Sequence, residues 1–280
     1  MPITMPEGTT TAVAITIDFD AHSPWMGGFG LTSPSVLSRG EFGAEVGVPR
    51  LLSLFERLDI PTTWCTPGHD LVTFPDRVES VMAAGHEIAA HGAYHEDLRS
   101  LDEERERELM VLQLEQHLAI TGLKPRGYRS PAWDFSAATM GILEEFGFEW
   151  DSSLMGREFE PYHPRPVTLA YESANTFGAP SPVLELPVSW YLDDWPAVEY
   201  IPGVSPQMGS HRVMLQRWKD IFEYARTRVD NALYTLTVHP QTIGRAHHIA
   251  GFEELLTEMR GHDDVWFATL SEIYDAYTDD

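Results

Sequence analysis

Cysteine is almost missing from this chain. Cys65 is the only one in 280 residues, so no internal disulfide can form, which fits a reducing compartment. Missing too is any uninterrupted apolar run near the ~20 residues that a membrane-crossing helix needs. Residues 1–11 are polar, with neither a basic start nor an apolar centre, so no export signal and a cytoplasmic location are expected. Positive charge is scarce: 19 Lys and Arg stand against 43 Asp and Glu, a formal net charge of -24. That balance argues against nucleic acid or an anionic membrane surface as partner and serves solubility. There is no Gly-rich dinucleotide fingerprint, internal repeat, low-complexity tract or domain linker.

What is present is an alternation of strand-like and helix-like stretches. Thr11 to Asp20 is apolar and β-rich and reads as a buried strand. Thr62 to Cys65, Glu87 to Ala90, Gly127 to Pro131, Phe148 to Leu154, Val183 to Trp190, Leu233 to Val238 and Val265 to Ala268 read as further strands or strand ends. Helical spacing marks Val48 to Leu58, Pro75 to Ala84 before Gly85, Asp102 to Thr121 before Gly122, Ala137 to Phe146 before Gly147, Arg212 to Val229 and Phe252 to Arg260. His22 to Gly47 and Gly156 to Pro182 read as long irregular excursions, the first placed to cover a site. Alternation of this kind implies parallel strands joined by right-handed crossovers. The expected fold is α/β, a distorted (β/α) barrel with seven or eight mostly parallel strands, in a single domain over residues 1–280.

Polar residues gather where the strands end, which is where barrel sites lie. In His91-Gly92-Ala93-Tyr94-His95, a helical turn after His91 would put both imidazoles on one face, able to bind one ion. A carboxylate ligand can come from the first strand. Asp18 and Asp20 are two residues apart there and so point to the same side. Other strand ends supply Arg129 in Tyr-Arg-Ser-Pro-Ala-Trp, Asp151 in Asp-Ser-Ser, and His239 in Thr-Val-His-Pro. Each alone has a plain structural reading: a hydrogen-bonded His, an Asp cap, a rigid turn. Jointly they suit a divalent metal centre. Zinc is the default for imidazole and carboxylate ligands, and iron, manganese, cobalt or nickel also fit. Trp25, Trp64, Trp133 and Trp190 lie beside strand ends, either as core or as walls of a dry pocket for a small planar ring. His22, His69 and His163 read as surface or structural, and His247 and His248 as solvated residues in a turn after the His239 strand.

This order and spacing resemble the polysaccharide deacetylase superfamily, carbohydrate esterase family 4, over almost the whole chain. Its aspartate pair is matched by Asp18 and Asp20, although Phe19 separates two residues that are adjacent in the family. Its His-x-x-x-His is matched by His91 and His95, its Arg-x-Pro by Arg129 and Pro131, and its late His by His239. The stretches Ser38-Arg39-Gly40, Glu45 to Arg50, Tyr128 to Trp133 and Ser189 to Asp194 are similar to a subgroup holding cyclic imide hydrolases, an allantoinase type and proteins labelled peptidoglycan deacetylases.

The resemblance implies roles. Asp20, His91 and His95 would hold the metal, and Asp18 would act as general base, kept ionised by Arg129. His239 would protonate the departing nitrogen, its ring oriented by Asp194 or Asp151. Trp25, Trp133, Trp190 and Tyr191 would touch substrate. The expected activity is metal-dependent hydrolysis of a carbon–nitrogen bond, water acidified by the ion attacking the carbonyl of a small cyclic imide, ureide or amide. The alternative is N-deacetylation of peptidoglycan or another N-acetylated polysaccharide. A non-haem iron oxygenase also uses two His and a carboxylate, but usually on antiparallel double sheets. A metal- or sugar-binding module leaves the base, the Arg and the late His without a purpose. Partners are expected to be the small substrate and further copies of the chain, as a dimer or tetramer.

Overall fold

The structure is a computed structural model and describes residues 3–201, 203–205 and 208–277. Among the described residues there are ten strands: β1 Thr11–Asp18, β2 Thr62–Thr66, β3 Glu87–Ala90, β4 Gly127–Tyr128, β5 Trp150–Asp151, β6 Val167–Thr168, β7 Thr176–Phe177, β8 Leu184–Glu185, β9 Ala232–Val238 and β10 Val265–Phe267. All but β6 and β7 belong to one sheet whose pairings are all parallel. The sheet is curled, a distorted (β/α) barrel.

β1 is its axis. β9 runs along β1 from Thr11 to Ile17, occupying one whole edge. The other edge is shared: β10 pairs with Thr11 to Val13 and β2 with Ile15 to Asp18. The remaining strands follow in the order β3, β4, β5, β8, and a parallel bridge from Asp193 to Thr237 brings the chain after β8 back against β9. Register then fixes where the chemistry sits. Asp18 pairs with Cys65, Ala90 with Tyr128, Tyr128 with Asp151, and Ile17 with Val238. The strands therefore stop at one level, and the residues that follow them share one rim.

Alternation along β1 sorts its side chains. Val13, Ile15 and Ile17 join the outer core with Leu51, Phe55, Trp218 and Phe252 of the surrounding helices. Ala12 and Ala14 face the interior with Cys65, Ala89 and Trp150. The interior is narrow: a Cβ on Gly127 would lie 1.9 Å from the Trp150 ring, so only glycine fits there.

Helices Val48–Leu58, Pro75–Ala83, Glu103–Thr121, Thr139–Glu145, His211–Arg228 and Ala246–Arg260 match the expected helical stretches to within a few residues, except that the last begins earlier. Asp102 caps Arg105 N, and Gly122, at φ 73°, closes the same helix. Three expectations fail. Residues 22–47 are not a loop: π-helical turns Pro24–Gly28 and Gly43–Gly47 flank helix Pro34–Phe42, started by Pro34 behind the Ser33 cap. His247 and His248 lie in the first turn of helix Ala246–Arg260, not in a turn. The chain between His91 and His95 is not helical. Gly92 at φ 75° and His95 at φ 60° take left-handed conformations, and the Glu96 carboxylate accepts from Ala93 N and Tyr94 N. Among the described residues no helix is long and apolar enough to cross a membrane.

Candidate active site

β1 delivers the two carboxylates. Phe19 continues the alternation outward, donating its backbone N–H to Cys65 O and packing edge-on against Trp64, so Asp18 and Asp20 both turn to the interior rim. β3 delivers His91, and the left-handed loop brings His95 round, its ring centroid 5.1 Å from that of His91. One donor atom from each of Asp20, His91 and His95 lies within 4.8 Å of the other two, and all three residues are buried.

The donor chemistry fits a cation. His91 Nδ1 donates to Arg129 O at 2.8 Å, a partner that can only accept, so in the neutral ring Nε2 carries a bare lone pair. That atom faces Asp20 Oδ1 at 3.3 Å. Asp20 Oδ1 and His95 Nδ1 are buried with no hydrogen-bond partner. Buried acceptors aimed at one another are costly unless something positive lies between them. Burial lowers the His95 pKa to about 4, keeping the ring neutral and available as a ligand. For His91, burial works downward but Asp18 and Asp20 outweigh it and raise the ring.

Arg129, just past β4, is fully buried, and four hydrogen bonds hold its guanidinium. It donates to Asp18 Oδ1 at 2.7 Å, Thr16 Oγ1 at 2.8 Å, Ser152 O at 2.9 Å and Ser152 Oγ at 2.9 Å. Burial alone would raise Asp18, but Arg129, then His91 and His239, hold its carboxyl at about 2. The Trp133 indole also points at Asp18 Oδ2, at 3.4 Å.

His239, just past β9, stands opposite. Its Nε2 is 3.5 Å from Asp20 Oδ2 and 3.9 Å from Asp18 Oδ2. Its Nδ1 donates to Asp194 Oδ1 at 2.7 Å, and Asp194 also accepts the His239 backbone N–H. Burial disfavours the charged ring, but the Asp194 bond and the Asp193 charge raise its pKa to about 10. Asp151, the other candidate for this position, is turned elsewhere. Its carboxylate accepts from Ser153 Oγ at 2.7 Å beside the buried Glu185, and burial lifts its pKa to about 6.

Above these groups is a cavity of about 180 Å³, walled by Pro24, Phe29, Ala132, Trp133, Trp190 and Trp195. Trp133 and Trp190 were expected there, and their rings lie 4.8 Å apart. Trp25 and Tyr191 are corrections. Trp25 is fully buried behind the wall, 5.2 Å from Trp195 and beneath the Arg39 guanidinium, whereas Tyr191 is 66% exposed and outside the lining. Trp64 is core. Phe29 and Trp195, stacked at 6.3 Å, were missed, as was Asp193, which lines the cavity and which burial raises to about 8. Trp195 directly follows Asp194, the one signal that could have found it.

Comparison with known proteins gives this arrangement its family. The polysaccharide deacetylase family profile matches residues 35–150. A peptidoglycan deacetylase of Helicobacter pylori is 33% identical over 279 residues, covering 95% of each chain. The chain belongs to the polysaccharide deacetylase family. The family is one of metal-dependent hydrolases of carbon–nitrogen bonds other than peptide bonds, and its deacetylases use a divalent ion. A peptidoglycan deacetylase-like protein, FGM2, of Gibberella zeae is 32% identical over 281 residues, covering 91% of this chain and 83% of its own. A crystal structure described as a polysaccharide deacetylase from Mycobacterium smegmatis superposes with TM-score 0.86 at 35% identity, covering 98% of this chain and 92% of the other. The deacetylase fold and the buried donor set thus occur in one chain.

Proposed function

We propose that this deacetylase-family protein hydrolyses the amide bond of an N-acetylated amino sugar, with Asp20, His91 and His95 holding a zinc ion. The observation that supports the chemistry is the separation of protonation states around the ligand set. One carboxyl, Asp18, is held at about 2, and one imidazole, His239, is lifted to about 10, both beside the same donors. Groups whose environments push their pKa values apart are suited to base and acid roles. A divalent ion held by Asp20, His91 and His95 would acidify water and polarise a carbonyl. Asp18, clamped by Arg129, is the proton acceptor. His239, its Nδ1 committed to Asp194, presents a protonated Nε2 to the leaving nitrogen. Asp194 fixes the tautomer. Trp133 and Trp190 pack against the sugar face, and Phe29 and Trp195 exclude water. The N-acetyl substrate is supported by the names of the full-length relatives, both peptidoglycan deacetylase or deacetylase-like.

One observation favours a second reading, the opening of a small cyclic imide or ureide. The cavity of about 180 Å³ is below the ~300–1,000 Å³ of usual ligand pockets. It suits a single amide-bearing group rather than a polymer in an open groove. The deciding experiment sets zinc-loaded protein against N-acetylglucosamine oligomers and peptidoglycan on one side and succinimide, hydantoin, dihydrouracil and allantoin on the other. Acetate release from the glycans alone supports the first reading. Ring opening alone replaces it with the second. Turnover that survives complete metal removal by a chelator sinks both.

A further inference from the structure

A second gathering of imidazoles stands on the outside of the barrel. His211 opens helix His211–Arg228, and His247 and His248 lie in the first turn of helix Ala246–Arg260. Their ring centroids are 5.1 Å (His211 to His247), 5.5 Å (His211 to His248) and 4.0 Å (His247 to His248) apart. Residues adjacent on a helix normally point about 100° apart and do not face each other. The 4.0 Å approach of His247 to His248 therefore means that both rings are swung toward one place. One nitrogen from each of the three lies within 4.8 Å of the other two.

We propose that His211, His247 and His248 form a second metal site, one that takes a divalent transition ion such as Zn²⁺, Ni²⁺ or Cu²⁺ and staples the two helices together. Three features carry the assignment. All three donors are imidazoles, the ligand type that suits zinc, copper and nickel. His248 is buried, and its Nδ1 donates to Thr242 O at 2.8 Å. That bond leaves Nε2 as the lone-pair atom and fixes the ring, the outer hydrogen bond that metal-ligating His residues nearly always make. It repeats the bond of His91 Nδ1 to Arg129 O, also 2.8 Å. Last, among the described residues no carboxylate forms an ion pair with any of the three. The nitrogens that converge there are therefore not held in ion pairs. The positive ends of two helices and Arg212 oppose a cation there, so affinity falls below that of the Asp20 centre. The inner ligand reaches the site already described through one helix. Thr242 lies in Pro240–Ile243, which starts immediately after His239.

The test separates the two centres by counting ions. In equilibrium dialysis, wild-type protein should bind two equivalents of Zn²⁺ or Ni²⁺, and a His91→Ala/His95→Ala variant one. Adding His211→Ala and His247→Ala to that background should weaken the remaining site about 100-fold. Both of these rings are at least partly exposed, so the fold survives their loss. In the otherwise wild-type protein, the His211→Ala/His247→Ala pair should lower the metal-dependent rise in melting temperature and leave turnover within about twofold. Cu²⁺ bound to the His91→Ala/His95→Ala variant should show nitrogen hyperfine splitting in its paramagnetic resonance spectrum. One equivalent in the wild type, or the same residual affinity with and without His211 and His247, overturns the site. A melting shift with inorganic phosphate but none with metal overturns it as well, by making the cluster an anion pocket.

Discussion

Among the described residues, the clusters at His91 and His95 and at His211, His247 and His248 both gather imidazoles, and their surroundings differ. At Asp20, His91 and His95 the donors are buried, one is an acid, and a clamped carboxylate and a charged imidazole stand beside them. At His211, His247 and His248 the donors are all imidazoles, two are at least partly open to solvent, and among the described residues no carboxylate forms an ion pair with them. Both arrangements suit an ion; only the first is equipped to move protons. On the proposed function, catalytic character would reside in the flanking Asp18–Arg129 and His239–Asp194 pairs as much as in the ligands.

Perturbation should expose that contrast by degrees. His91→Ala should remove the ion from the first centre and cut turnover about 10³-fold or more, whereas His247→Ala leaves turnover near wild type. Metal analysis beside steady-state rates checks it, and an active His91→Ala refutes the ligand assignment. Arg129→Met strands the buried Asp18 carboxylate and should cost about 3–5 kcal/mol in urea unfolding. Asp18→Asn in the same chain should restore part of that loss; if it restores none, the pair is not what Arg129 stabilises. His239→Ala should keep the ion and slow turnover about 100-fold, most for poor leaving groups. Equal slowing for imides and N-acetyl sugars argues against proton donation.

The smallest effect is in pH. The His239 value is raised from 6.5 to about 10, so its contribution to stability is complete below about 6.5 and lost as pH rises through 10. Activity that needs the protonated ring falls on the same alkaline limb. Asp194→Asn removes a raising influence and should move that limb to lower pH, seen in the rate profile. An unmoved limb assigns it to another group.

Much of the barrel was legible because its helices and strands carry period and punctuation: Gly85, Gly122 and Gly147 each follow a helix, at φ 83°, 73° and 65°. Residues 22–47 misled because Gly, Ser and Pro usually signal loops. Here Ser33 and Pro34 start a helix, while Gly40 and Gly47 allow close packing, a Cβ on them falling 2.2 Å from Ala21 O and 2.3 Å from Pro240 O. In the site, spacing located Asp18, Asp20, His91, Arg129 and His239, since strand ends in register share a rim. It could not say how His95 comes round, because a left-handed backbone at a non-glycine residue is imposed by tertiary contacts. Nor could it choose Asp194 over Asp151, since one follows a strand-like stretch and the other lies within one, and only the structure shows which carboxylate meets His239. Trp25 and Phe29 exchange places with expectation because the π-helical turn at Pro24–Gly28 rotates the first under the second.

Phe19 has a consequence of its own. Its ring is held between Trp64 and Phe74, with centroids 6.1 and 6.4 Å away, on the side the acids avoid. Sliding the chain by a single residue would drag this ring into the polar mouth and drive a carboxylate into oil. An aromatic anchor that never meets solvent therefore works as a ratchet tooth, setting the height at which both acids stand.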